Sequence, residues 1–160
     1  MTTDVKIEHR GEHRWRRIIR ANDNLGGLVV KAGIPDDVKH ERSGLPAWVI
    51  GMMNEFGAPA LGIPERSFIR AGVDNQRRQI RNVTERAVQS VNAGKSAKSA
   101  ADRVGARVAR AIRLGISTVH HPPLKASTIA GRRRRGVSST QPLNDEGELK
   151  AAITHWVEKR

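Results

Sequence analysis

Residues 47–55, AWVIGMMNE, decide how the chain folds. Read with a period of two, they place Ala47, Val49, Gly51 and Met53 on one face and Trp48, Ile50 and Met52 on the other. Both faces are apolar, as in a strand covered on each side, so the pattern predicts a central strand. Working outward, residues 28–34, LVVKAGI, form a β-branched run closed by Pro35, which predicts another strand. Residues 4–9, DVKIEH, alternate Val5 and Ile7 with polar neighbours and predict a short third.

Helical spacing dominates elsewhere. Residues 12–21 place Trp15, Ile18 and Ile19 on one side, and the NDN and GG that follow stop the helix. Residues 36–45 are charged and polar and read as a loop. A long helix is expected over about 71–92, where Val73, Ile80, Val83, Ala87, Val88 and Val91 make a stripe. The NAGKS that follows breaks it. A second helix is expected over about 97–114, burying Ala97, Ala100, Ala101, Val104, Val108, Ala111 and Ile112, with Gly115 ending it. The C-terminal ELKAAITHWVEKR begins like a helical turn after Asp145 and finishes like a strand, with Ile153 and Val157 on one face. No internal repeat is visible. The fold class expected is α+β: a small mixed sheet of about four strands packed against two or three helices, in one domain over residues 1–160.

Residues 117–147 stand apart, with three prolines, three glycines, many Ser and Thr, and four consecutive arginines. A loop of about 30 residues is unusual in a compact domain. It is expected to be disordered, or held by something outside the domain. Arg132, Arg133, Arg134 and Arg135 lie between Gly131 and Gly136, which predicts a mobile basic loop. That loop would contact phosphates nonspecifically or pair with carboxylates of a neighbouring subunit. It lies outside the aliphatic stripes, so replacing the arginines is expected to change stability little.

Composition narrows the function. The formal charge is +13, from 29 Lys+Arg against 16 Asp+Glu, and such a chain attracts polyanions and acidic surfaces. Aromatics are only 3% of residues, so the core must be aliphatic. The absence of cysteine excludes disulfides and thiolate metal sites. No run of about 18 apolar residues is present to span a membrane, and the polar N-terminus lacks an apolar signal core; cytoplasmic synthesis is expected. His120 and His121 precede two prolines, but adjacent side chains on an extended chain point opposite ways and rarely share an ion. The carboxylate groups Asp36–Asp37 and Asp145, Glu146 and Glu148 have no partner base at fixed spacing. Gly94-Lys95-Ser96 lacks the upstream glycine of a phosphate-binding loop, since Gln89 stands there. No enzyme, metal, cofactor or small-molecule substrate is expected.

The stretch 54–70, NEFGAPALGIPERSFIR, contains both phenylalanines, Phe56 and Phe68. Gly57, Pro59, Gly62 and Pro64 prevent regular structure between them. The expected result is a shaped protrusion bearing hydrophobes, suited to a contact surface. Asn54, Glu55, Phe56 and Gly57, followed by Ile63, Pro64, Arg66, Phe68 and Arg70, make a pattern that resembles the tail-completion, or head–tail joining, proteins of tailed bacteriophages. Ser67 replaces the usual proline and Ile69 the usual leucine. A second block resembles the same family: Pro122, Pro123, Leu124, Thr128 and Ile129, then Pro142, Leu143, Asp145, Gly147, Leu149 and Ile153. There Glu146 and Ala152 replace the usual threonine and serine. The two blocks cover about a third of the chain.

The resemblance implies a non-catalytic virion protein of the phage neck. Such a subunit forms a ring, commonly a hexamer, which completes the tail and joins it to the DNA-filled head. Its expected partners are copies of itself, the tail tube protein and a head-closure or connector protein, with genomic DNA passing through the lumen. The motif residues 54–57, 63, 64, 66, 68 and 70 are then expected at the assembly interface. Alternatives from the residues themselves are a nonspecific nucleic-acid-binding protein using Arg132–Arg135, a head-closure component of the same neck, and a basic adaptor or inhibitor of a host protein.

Overall fold

The computed structural model describes residues 12–160. Its elements are α1 (Glu12–Gly26), β1 (Leu28–Gly33), α2 (Ala47–Phe56), α3 (Phe68–Asn75), α4 (Arg77–Asn92), α5 (Ala97–Thr118), α6 (Ala126–Arg134), α7 (Glu148–Ala151) and β2 (Thr154–Lys159). A short 3-10 turn spans Pro59–Leu61. The mixed α+β character stands, but the expected four-stranded sheet does not. Among the described residues the sheet has two antiparallel strands, β1 and β2, paired from Leu28 opposite Lys159 to Gly33 opposite Thr154. Seven α-helices accompany it among the same residues, where two or three were expected. The strand expected over 4–9 lies outside the described residues.

The largest correction falls on residues 47–56, which form helix α2 and not a strand. An uninterrupted apolar run has no polar face to set its period, so two and 3.6 fit it equally well. Packing selects the helix. Ala47, Gly51 and Glu55, four residues apart, face inward. A Cβ added at Gly51 would lie 2.6 Å from Ile34 Cδ1, so α2 sits closely over the end of β1.

Helix α5 is the spine, with α1, α3, α4 and both strands against it. One core cluster joins Phe68, Ala109, Ile112, Ile116 and Ile153; a second joins Ala87, Val91 and Ala100 with Ala21, Leu25 and Val104 around them. Gly115 does not end α5. It lies inside the helix, where α3 crosses so closely that a Cβ would stand 2.0 Å from the Phe68 carbonyl oxygen. Gly72 of α3 makes the reciprocal approach, 2.5 Å from the Ala111 oxygen. The cap is Ser96 at the other end, whose hydroxyl accepts from the Ser99 amide. The helix expected over 71–92 is two helices, broken at Gln76. Its stripe is divided as well: Val73 serves the first cluster, Ala87 and Val91 the second.

Residues 117–147 are not one long loop. They contain α6 and fold back on the body: Gln141 Nε2 donates to the Ser117 carbonyl at 2.6 Å, Pro142 is buried, and Leu143 packs on the first core cluster.

Candidate assembly surface

The motif stretch 54–70 is built around Glu55, the last buried residue of α2. Its side chain is 4% exposed, and donors satisfy it. It accepts from Ser67 Oγ at 2.7 Å, from the Ile69 amide at 2.7 Å and from the Arg70 amide at 3.1 Å. Those amides belong to the first turn of α3, which Ser67 does not cap with its own side chain. Glu55 therefore caps α3 from outside, placing negative charge at the positive end of the helix dipole.

Between the two helices the chain closes a small loop. Ala58 and Ile63 exchange amide–carbonyl hydrogen bonds, N–O distances 2.8 and 3.1 Å, and the Arg66 amide donates to the Asn54 carbonyl at 2.7 Å. Gly57 has φ +78°, and a Cβ there would stand 2.9 Å from the Glu65 amide nitrogen, so both conformation and space favour glycine. Arg66 is 8% exposed and joins the two motif blocks. Its Nε donates to the Pro122 carbonyl at 2.9 Å and its Nη2 to the Pro123 carbonyl at 3.2 Å. Burial, and then the nearby charge of Arg132, lower its pKa.

These residues correct the expectation that the whole motif faces a partner. Glu55, Arg66 and Phe68 are buried and serve the fold of the subunit, and Phe68 is fully enclosed in the core. Asn54, Gly57, Ile63 and Pro64 are half-buried. Arg70 is exposed but occupied with Glu65, at 2.6 Å. Phe56 is exposed, at 65%, as is Leu61 within the same stretch, at 69%.

Phe56 has neighbours that sequence reading missed. Trp48 and Met52 precede it at intervals of four, and Leu45 lies three residues before Trp48; all four are exposed. On α2 the spacing of Trp48, Met52 and Phe56 is one face; Leu45 precedes the helix, before its N-cap Pro46. Helix α2 thus buries its small residues and a glutamate, half-buries Val49, Ile50 and Met53, and turns Trp48, Met52 and Phe56 to solvent. Ala47 and Gly51 stand four apart in the sequence, but that spacing fits a period of two as well as a helix, so it does not single out this face.

The arginine run is also divided. It is the C-terminal turn of α6, not a mobile loop. Arg132 is 5% exposed, and its Nη1 donates to the carbonyls of Ser139, Gln141 and Asn144 at 3.0, 2.8 and 3.1 Å. Its Nε stands 3.4 Å from Asp145 Oδ1, an ion-pair distance without hydrogen-bond geometry. Arg135 reaches Asp145 Oδ2 at 2.8 Å, and Arg42 reaches the same oxygen at 3.1 Å. Partial burial opposes ionisation of Asp145. The hydrogen bond from Arg42 and the charges of Arg132, Arg135 and Arg42 outweigh it, holding the carboxyl below its usual range. Arg133, Arg134 and Arg135 are all exposed, but of the three Arg135 alone is held by an ion pair among the described residues. The rest of the C-terminal block is structural as well. Leu143 and Leu149 pack on the Phe68 cluster, and Gly147 takes φ +86° just before α7.

His120 and His121 are exposed, and no group of three or more His, Asp or Glu able to hold a metal occurs among the described residues. No described helix is long and apolar enough to cross a membrane. In comparisons with known proteins, no family model, no curated protein and no solved structure matches the chain.

Proposed function

We propose that the chain is a structural subunit of a bacteriophage neck, which assembles with copies of itself into a ring that completes the tail and joins it to the head. The reading rests on the resemblance of the two sequence blocks, and one structural observation carries it furthest: the outward apolar face of Trp48, Met52 and Phe56 on α2. Fully burying each such side chain is worth about 1.5–3 kcal/mol. Three such side chains on one helix face left in water, on so polar a chain, fit a surface completed by a neighbour. In this reading the motif stretch acts indirectly. Glu55 and Arg66 hold the frame, and α2 presents the contact. The subunit performs no chemistry, and its partners beyond itself are the tail tube and a head-closure protein.

Sedimentation velocity and negative-stain microscopy across a salt series test this. Charge repulsion opposes association at low salt, so rings should accumulate as screening increases. Trp48→Asp combined with Phe56→Asp should leave a folded monomer that no longer forms rings or completes tails. A wild-type protein that stays monomeric at every salt concentration, even with tail tubes added, would sink the reading.

A further inference from the structure

The sequence directs attention to Arg132–Arg135 as the polyanion-binding element, yet Arg132 is buried and Arg135, though exposed, is paired with Asp145. Positive charge also gathers elsewhere. Helix α1 and the turn between α4 and α5 enclose a groove of about 420 Å³. His13, Arg16, Arg17 and Arg20 line one wall, and Lys95 stands on the other. Among the described residues no carboxylate contributes to the lining. Arg17, Arg20 and Lys95 are exposed, and none forms an ion pair within the described residues.

We infer that this groove is a binding site for the phosphodiester backbone of nucleic acid. The α1 wall, from His13 to Arg20, runs about 10 Å at the helical rise. The rise of about 3.4 Å per phosphate is measured along the duplex axis, and along the strand itself neighbours stand about 7 Å apart, so the row meets about two of them. A closely spaced line of anions uses the whole wall at once, whereas isolated carboxylates of a folded acidic protein would use one or two cations. The inner stripe of α1, with Ala21 and Leu25, is already packed on the α4–α5 core. The helix therefore cannot lay that stripe into a bilayer. Exposed Trp15 lies round the helix from the groove and outside its lining, so the site offers charge without a base-stacking platform. Binding is then sequence-independent and salt-sensitive. This inference does not depend on ring assembly and holds for a monomer equally.

The test is fluorescence anisotropy with a labelled duplex of about 20 base pairs, titrated from about 50 to 200 mM salt. Two variants with equal change in net charge are compared: Arg17→Glu/Arg20→Glu in the groove, and Arg133→Glu/Arg134→Glu on α6. The groove pair should weaken duplex binding about tenfold or more at low salt. Its log–log salt slope should fall by about 2, at close to 0.9 for each phosphate that is no longer neutralised. The α6 pair should weaken binding less than about threefold. Lys95→Glu, on the opposite wall and away from α1, should weaken binding in the same direction and guards against a local effect on the helix. Circular dichroism melts check that each variant is folded. Equal losses from the two double variants, no binding by the wild type near 50 mM salt, or capture by phosphatidylserine vesicles without duplex binding would each overturn the inference.

Discussion

The Glu55 carboxylate accepts the Ile69 amide at 2.7 Å, so the end of α2 caps the start of α3 across fourteen residues. A charged group with three donors and almost no solvent is costly to remove, because the amides it satisfies stay buried. Glu55→Ala should destabilise the subunit by about 2–3 kcal/mol, at the upper end for caps and charge-assisted hydrogen bonds. Glu55→Gln keeps one acceptor oxygen and should cost about half as much. Urea unfolding followed by circular dichroism measures both. Equal stability of wild type and Glu55→Ala would remove the cap from the account.

Gly115 and Gly72 let α3 and α5 touch backbone to backbone. Alanine is intrinsically the better helix residue by about 1 kcal/mol. Here its methyl group would have to occupy the space of the Phe68 carbonyl, and backbone cannot yield as a flexible side chain does. Gly115→Ala should therefore destabilise, by about 3 kcal/mol or failing to fold altogether. A variant that melts higher than wild type would mean that Gly115 is a helix end, as the sequence alone suggests.

Adjacent arginines should behave as opposites. Arg132→Ala leaves three carbonyls without their buried donor and removes one of the cations beside Asp145, and should cost about 3 kcal/mol or more. Arg133→Ala should stay within about 0.5 kcal/mol of wild type. Thermal melts of the two single variants, made side by side, decide it. Replacing all four arginines together is then a test of folding before it is a test of binding.

Asp145 makes the same region acid-sensitive. Its folded-state pKa is depressed below the unfolded value of about 3.9. The stabilisation is complete above that value and is lost as pH falls through the lower folded-state pKa. Asp145→Asn should lower stability at pH 7, by about 1.5–3 kcal/mol, and flatten the decline between about pH 4 and pH 2. Denaturant midpoints measured across that range in wild type and variant supply the comparison. Parallel pH profiles would show that other carboxylates govern the acid limb.

The sequence by itself determined the parts whose neighbours lie nearby along the chain. The β-branched run at 28–34, the small-residue face of α5 and the helical turn leading to a last strand are all readable there, because propensity and period agree. The aliphatic core followed from composition. Tertiary structure alone decided residues 47–56, where an apolar run carries no period and only the fit of Gly51 beneath Ile34 selects a helix with Trp48, Met52 and Phe56 outside. It alone decided that Gly115 is a crossing point, since a glycine needed for close approach and one needed to stop a helix are written alike. And it separated Arg132 from Arg133. Identical residues have identical propensities, and only carbonyls brought in from residues 139–144 make one of them structural and leave the other in water.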